Sequence, residues 1–271
     1  MDKINFKIKK QFNWLYYKLI LKHCRIVKLQ RKNPMQIPVI IINYNQLFYL
    51  KKLVSFLRER KFEKIIIVDN QSNYPPLLNY YNEIKDDVVI ERMQHNYGHL
   101  VFLKNKQLQR KYGRGYFIMT DADILPNNQL PCNFVDEMLS YLDKYFKSVT
   151  KVGFALDIDH IPDSYPLKEK VISWEAQFWK HEIEPDLYKA NIDTTFALYK
   201  PCYPQKFSNL KFLQAIRIAG NYTALHGGWH VDPNHYTDEN LHYINSVQKS
   251  SSWKLDQAGK HDNKGDSNYN I

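Results

Sequence analysis

The decapeptide YFIMTDADIL, at residues 116–125, joins an apolar run to two carboxylates that are separated by one small residue. Its first part has the continuous hydrophobicity of a strand that is covered on both faces. Asp121 and Asp123 follow directly, and two like charges this close repel each other unless a cation is shared between them. The decapeptide therefore predicts a buried strand that ends either in a solvated turn, the commoner setting of two such aspartates taken alone, or in a cation site.

Three similar apolar runs precede it, with helical patterns between them. The runs are PVIIIN at residues 38–43, KIIIVDN at 64–70 and DVVIERM at 87–93, and the helical patterns lie near residues 47–61, 77–84 and 100–110. Strands that alternate with helices indicate βαβ units and hence a parallel sheet. We expect an α/β, Rossmann-like fold with a mostly parallel central sheet and helices on both faces.

Each predicted strand is followed by polar residues. These are NYN at residues 43–45, DNQS at 69–72, HNYGH at 95–99 and DAD at 121–123. The carboxyl ends of parallel strands meet at one edge of the sheet, where ligands bind in such folds. None of the four motifs is a glycine-rich phosphate loop, so we expect a ligand held by side chains and a metal ion. Mg²⁺ and Mn²⁺ prefer oxygen ligands and keep bonds to substrate phosphates.

The motifs IIINYN, IIIVDNQS, HNYGH and YFIMTDADI, in this order, resemble the N-terminal half of GT-A-fold glycosyltransferases. The resemblance is to the large inverting, family 2-like group that builds bacterial surface polysaccharides. It covers about residues 37–130, roughly a third of the chain. Two positions depart from the common pattern, because Asn43 stands where threonine is commoner and Gln71 stands where glycine is usual.

This resemblance implies a nucleotide-sugar donor, expected to be UDP-linked, and a divalent metal, Mn²⁺ or Mg²⁺. The residues it assigns to the donor are Asn43, Tyr44 and Asn45 around the base, Asp69 at the uracil or ribose, Asn96 at the diphosphate, and Asp121 with Ala122 toward the ribose or a metal-bound water. Asp123 is the implied metal ligand.

The second half of the chain is expected to bind the acceptor and to supply the general base. An inverting transfer needs that base across the pocket from the metal. The candidate carboxylates are Asp157, Asp159, Glu175 and Asp193. Asp193 is the first choice because it begins an apparent strand, DTTF. Glu175 is the second choice because Trp174 and Phe178 would desolvate it.

Several aromatic residues and one histidine complete the candidate site. Trp174, Trp179 and Trp229 are able to stack on sugar rings, although each fits ordinary core packing as well. His226 is followed by two glycines, which leave room for a ligand, so we expect a third metal ligand there; the alternative is a structural histidine.

Residues 1–36 hold most of the positive charge of the protein. They contain ten of its 38 basic residues and one of its 28 acidic residues, so the remaining 28 and 27 nearly cancel. As a helix, residues 12–29 place Lys18, Lys22, Arg25 and Lys28 on one arc and apolar residues opposite. Such a basic amphipathic helix suits an anionic membrane surface, or it docks on its own domain with the lysines outward.

Composition limits the other classes of function. The net charge of +10 and pI of 9.2 suggest nucleic-acid binding, but the strand ends lack a basic stripe, so we expect no nucleic-acid partner. No run of about 18 apolar residues predicts a membrane span. Three scattered cysteines and the lack of a signal peptide predict a cytoplasmic protein, either free or peripheral on the inner face of the membrane.

We divide the chain into a basic helical segment (1–36), one GT-A domain (37–245) and a polar tail (246–271). Residues 37–130 form the donor half of the domain and 131–245 its acceptor half. The expected function is a metal-dependent transfer of sugar to a glycan or glycolipid acceptor, in surface polysaccharide or lipooligosaccharide synthesis. The alternatives are a non-catalytic protein that binds nucleotide sugars or an anionic polymer, and a nucleotidyltransferase.

Overall fold

A computed structural model describes residues 2–207, 212–246 and 253–262, with side chains described from residue 11 onward. The helices are α1 (Asp2–His23), α2 (Arg25–Lys32), α3 (Phe48–Glu59), α4 (Pro75–Ile84), α5 (Val101–Lys104), α6 (Lys106–Tyr112), α7 (Phe134–Lys144), α8 (Lys168–Glu175) and α9 (Asp238–Ser246). The strands are β1 (Val39–Asn43), β2 (Ile65–Asp69), β3 (Val89–Arg92), β4 (Phe117–Asp121), β5 (Ile124–Pro126), β6 (Lys151–Phe154), β7 (Glu182–Glu184), β8 (Leu187–Asn191), β9 (Ala197–Tyr199), β10 (Gln214–Ile218) and β11 (Ala224–His226).

The main sheet has the strand order β3-β2-β1-β4-β9-β6-β10-β8-β7. Its first four strands are parallel, and β10 is parallel to β6. The α/β class and the large central sheet are thus confirmed. The sequence did not predict that β9 runs antiparallel between β4 and β6, or that β8 and β7 extend the sheet antiparallel beyond β10.

Burial explains why β1 and β2 read as continuous apolar runs. Every residue of both strands is buried, which requires cover on both faces of the sheet. β3 lies at the sheet edge and is only partly buried. The parallel register sets Asn43 opposite Asp69 and Ile42 opposite Asp121. The polar residues that end these strands therefore meet at one edge, as the sequence predicted.

The insertion of β9 brings the acceptor half of the chain to that edge. β6 and β9 approach so closely that a Cβ on Gly153 would lie 2.6 Å from the Cβ of Ala197. Just before β9, the carbonyl of Thr194 accepts a hydrogen bond of 3.0 Å from the backbone N–H of Asp121. The residues between β8 and β9 are therefore held against the end of β4.

A second, two-stranded sheet pairs β5 with β11. Its antiparallel register sets His226 opposite Ile124, one residue after Asp123. The backbone N–H of Gly227 also donates to the carbonyl of Asp123 over 2.7 Å. These bonds place a histidine from the end of the acceptor half beside the paired carboxylates.

The N-terminal segment forms two helices that break at Cys24, where the sequence predicted one continuous helix. Tyr17 and Val27 are fully buried, and the side-chain amide of Gln30 bonds both the N–H and the carbonyl of Tyr116. Arg31 donates to Tyr17, Tyr116 and Asp143 in one cluster. From Tyr17 onward the segment is thus docked on the domain, at the amino end of β4. No helix among the described residues is long and apolar enough to cross a bilayer.

Part of the predicted polar tail is folded against the domain. Leu255 is buried and its backbone bridges to His261, so residues 253–262 correct that prediction. The local sequence there is too short and too polar to show a hydrophobic period. Its contacts with the domain are made by Trp253, whose ring meets that of Trp229, and by the Asp256 carbonyl, which accepts from the Tyr236 hydroxyl. Residues 247–252 and 263–271 of the predicted tail lie outside the described residues.

Candidate active site

A cleft of about 1130 Å³ opens at the carboxyl edge of β1 and β4. Eight of the residues predicted to bind metal or act in catalysis or donor binding line it: Asn43, Tyr44, Asn96, Asp121, Asp123, Glu175, Asp193 and His226. Further walls come from α9 and from residues 253–255. The fold therefore gathers residues that are more than 100 positions apart in the sequence.

Five of the residues predicted to bind the donor divide into two groups. Asn43, Tyr44 and Asn96 line the cleft. Asn45 and Asp69 are fully buried behind its wall, so they are not placed to contact a ligand directly.

Asn45 and Asp69 instead hold the loops that follow β1 and β2. Asn45 Oδ1 accepts from the backbone N–H groups of Asn73 and Tyr74, at 2.8 and 3.0 Å. Asp69 accepts from the Tyr81 hydroxyl at 3.0 Å. Ala122 is fully buried and acts as a spacer between the two aspartates. The sequence pattern could not separate these supporting residues from lining ones.

Asp123 and His226 face each other across a gap. Asp123 Oδ2 and His226 Nδ1 are 3.7 Å apart, and this nitrogen is buried with no hydrogen-bond partner among the described residues. The imidazole is stacked on Trp229 at a centroid distance of 4.6 Å, which fixes the plane of its ring. An unpartnered buried nitrogen beside a carboxylate is the donor set that a divalent cation would complete.

The space beside this pair depends on Gly228. A Cβ there would lie 2.9 Å from a ring carbon of His226 and 3.4 Å from Asp123 Oδ2. The described residues contain no group of three or more His, Cys, Asp or Glu able to hold a metal. Asp123 and His226 therefore fit Mn²⁺ or Mg²⁺ as two protein ligands, with phosphate and water oxygens needed to complete the shell.

Asp121 lies next to this pair and is desolvated. The Thr194 hydroxyl donates to its Oδ2. The pKa of Asp121 is raised well above its usual range, first because the carboxyl group is withdrawn from water and second because Asp123 carries a like charge. A divalent cation in the cleft would favour its ionised form.

Asp193 lies in the bend between β8 and β9, not at the start of a strand as predicted. Its backbone is held by Lys151, whose Nζ donates to the Asp193 carbonyl at 2.6 Å and to the Tyr199 hydroxyl at 2.9 Å. Its carboxylate lines the cleft, 3.8 Å from Nε2 of His99. A fixed backbone and a cleft-facing carboxylate suit a general base.

Glu175 has a different environment from the one predicted. Its carboxylate accepts a 2.6 Å hydrogen bond from Nη1 of Arg217, and both side chains are almost fully buried. The Phe178 ring covers the guanidinium of Arg217 at 4.0 Å rather than desolvating an isolated carboxylate. One oxygen of the Glu175 carboxylate is therefore already committed to Arg217.

Most of the other candidates lie outside the cleft or are buried in its wall. Asp157 caps a turn by accepting from the N–H groups of Asp159 and His160, and neither aspartate lines the cleft. Trp174 does line the cleft, whereas Trp179 does not. Trp229 is 1% exposed and supports His226, so it is not a platform for a sugar.

Two buried basic residues were not among the residues predicted from the sequence. Lys151 and Arg217 are buried, and each begins or interrupts an apolar strand, in KVGFAL and AIRIAG. A single charged residue inside such a run predicts a buried partner, because an unpaired buried charge is strongly destabilising. The sequence therefore contained the sign of a buried basic residue at both positions, but it does not identify the partner of either.

Comparisons with known proteins add little to this description. No protein-family model and no curated protein matches the chain. Solved structures similar to it include the mannosyltransferase PcManGT from Pyrobaculum calidifontis in complex with GDP-Man and Mn²⁺, 12% identical over 89% of this chain and 70% of that chain, with a TM-score of 0.45.

Two further solved structures have lower TM-scores. TarS 1–349 from S. aureus is 11% identical over 79% of this chain and 67% of that chain, at a TM-score of 0.43. A cytidylyltransferase from Leptospira borgpetersenii is 10% identical over 66% of each chain, at 0.36.

The geometry predicts that Gly228→Ala weakens metal binding although both ligands are retained. The added Cβ would push the His226 ring from its position, so we expect Mn²⁺ affinity to fall about tenfold or more. Titration with Mn²⁺ followed by electron paramagnetic resonance measures this. An unchanged affinity in a variant that unfolds at the wild-type temperature would show that the gap is not the metal site.

Proposed function

We propose that this protein is a metal-dependent glycosyltransferase that moves a sugar from a nucleotide-sugar donor, expected to be a UDP-sugar, to a hydroxyl of a glycan or glycolipid acceptor. The observation that carries the proposal is the gap between Asp123 and the unpartnered nitrogen of His226. The cleft is also larger than the roughly 300 to 1,000 Å³ of typical single-ligand pockets, which suits a donor and an acceptor together.

Asp193 is our candidate for the general base. In an inverting transfer, an acceptor hydroxyl attacks the anomeric carbon, its proton passes to the base, and the bond to the nucleoside diphosphate breaks with its electrons. Asp193 lies beside the paired aspartates at the end of β4, held by Lys151. A bound divalent cation would stabilise the negative charge that develops on the departing diphosphate.

Calorimetry with UDP, with and without Mn²⁺, tests the donor and metal parts of the proposal. We expect UDP to bind the wild type only when Mn²⁺ is present, and expect Asp123→Ala and His226→Ala to abolish or strongly weaken that binding. Asp159→Asn is the matched control, because Asp159 is exposed and outside the cleft.

Four results, two from this titration and two from activity assays, would count against the proposal. Metal-independent UDP binding would remove the role of the cation. Unchanged binding in Asp123→Ala would move the metal site elsewhere. Binding of a nucleoside triphosphate with release of pyrophosphate would favour the nucleotidyltransferase alternative, and UDP binding without sugar transfer would favour a non-catalytic protein.

The base is tested by kinetics with a panel of UDP-sugars and glycan acceptors. Asp193→Asn keeps the size of the side chain but removes its basicity, so turnover should fall by about 10²-fold or more while UDP affinity stays near the wild-type value. If Asp193→Asn transfers sugar at the wild-type rate, and Glu175→Gln loses turnover while its acceptor affinity is unchanged, the base is Glu175.

We also infer that the N-terminal helices hold the enzyme at an anionic membrane surface, at the inner face of the cytoplasmic membrane. The face of α1 opposite the domain exposes Phe12, Leu15 and Leu19 by 68%, 54% and 56%. Lys18 and Lys22 flank this apolar face and are exposed. Basic flanks would repel a second copy of the same face and attract anionic lipid.

Sedimentation with lipid vesicles tests this inference. At low salt, the wild type should sediment with phosphatidylglycerol vesicles. Each Lys or Arg near such a surface contributes about 1 kcal/mol, and salt screens this attraction, so the binding should weaken as salt is added. The double variant Leu15→Ser/Leu19→Ser should lose most of the binding, whereas exposed Phe48→Ser on α3 should not. Equal sedimentation of both variants, or wild-type dimers that form without lipid, would refute a membrane role.

A further inference from the structure

The Glu175–Arg217 pair lies in the wall of the cleft, in its acceptor half. Arg217 donates through Nε to the Asn191 carbonyl at 2.8 Å and through Nη1 to Glu175 Oε2 at 2.6 Å. These two bonds use Nε and Nη1 of Arg217 and Oε2 of Glu175, and they leave over Nη2 of the guanidinium and Oε1 of the carboxylate. The wall thus contains one nitrogen donor and one oxygen acceptor that these two bonds do not use.

We propose that this pair binds two adjacent hydroxyl groups of a neutral pyranose, which makes it the recognition site for the acceptor sugar. The inference rests on the proposed function and names the class of acceptor for the same cleft. One hydroxyl would accept from Arg217 Nη2, and its neighbour would donate to Glu175 Oε1. Both groups are charged, so these hydrogen bonds are stronger than neutral ones.

Charge decides which sugars this site selects. The carboxylate and the guanidinium cancel, so the pair has no net charge for a sugar acid to neutralise. The carboxylate of a uronic acid placed there would lie against Glu175 and lose its hydration without gaining an unpaired cation. The pair therefore favours neutral pyranoses over anionic ones.

Aromatic side chains next to the pair supply the apolar part of the site. The ring of Phe178 covers the Arg217 guanidinium, and Trp174 lies 6.0 Å from Phe178 in an edge-to-face arrangement. Both rings line the cleft. The C–H face of a pyranose packs against such a ring, while its hydroxyls point to polar groups.

A competition experiment with two simple glycosides tests the proposal. Saturation-transfer NMR would compare methyl glucopyranoside with methyl glucopyranosiduronate, each with and without UDP and Mn²⁺. We expect the wild type to bind the neutral glycoside about tenfold more tightly or better. Glu175→Gln should reverse this preference, because Arg217 then has no carboxylate partner and can pair with that of the uronate.

Two further variants separate recognition from folding. Glu175→Leu/Arg217→Met replaces the buried pair with apolar groups, which buried ion pairs often tolerate, and should bind neither glycoside detectably. Glu169→Gln, also on α8 but exposed and outside the cleft, should behave as the wild type. Mn²⁺-dependent UDP binding reports whether each variant keeps its fold and donor site.

The outcomes distinguish this inference from the proposed function. A wild type that binds UDP with Mn²⁺ but binds the uronate as well as the neutral glycoside, or binds neither, overturns the inference alone. A preference that is unchanged in Glu175→Gln overturns it too. Lack of UDP binding in a wild type that still shows the neutral preference and its reversal would refute the proposed function and leave a sugar-binding site.

Discussion

Two carboxylates at the end of a buried strand need positive charge or hydrogen-bond donors close by, and the second half of the chain is arranged to provide them. Asp121 receives the Thr194 hydroxyl from the segment before β9. Asp123 faces His226, which the pairing of β5 with β11 brings to it. The antiparallel insertion of β9 and the small second sheet are the features of the fold that bring these two groups to the carboxylates.

Much of the donor half could be predicted because its information is local. The runs that became β1, β2 and β4 are apolar throughout since both faces of the sheet are covered, and a short range of sequence is enough to show that. The meeting of strand ends then follows from parallel pairing. Whether Asn45 lines the cleft or supports its wall depends on its hydrogen bonds to the loop after β2. The hydrophobic pattern of the sequence contains no information on those bonds.

The acceptor half was harder to predict because its decisive contacts are distant in sequence. The environment of Glu175 depends on Arg217, 42 residues later, and the strand order around β9 depends on pairings with no local signature. Residues 253–255 line the cleft although nothing in their own sequence marks a folded segment. His226 was among the candidates because the two glycines after it leave room for a ligand, and Gly228 does adjoin both Asp123 and His226.

The N-terminal helices dock at the end of β4 that is remote from the cleft, and this position bears on the length of the acceptor. They contact Tyr116 at the start of β4, while the cleft opens at its other end, about 16 Å away for a five-residue strand. An enzyme held to a bilayer by those helices would carry its cleft well above the headgroups. The growing end of a long saccharide would reach it easily, whereas a single sugar on a short lipid carrier would not, so such an enzyme would act on chains already begun.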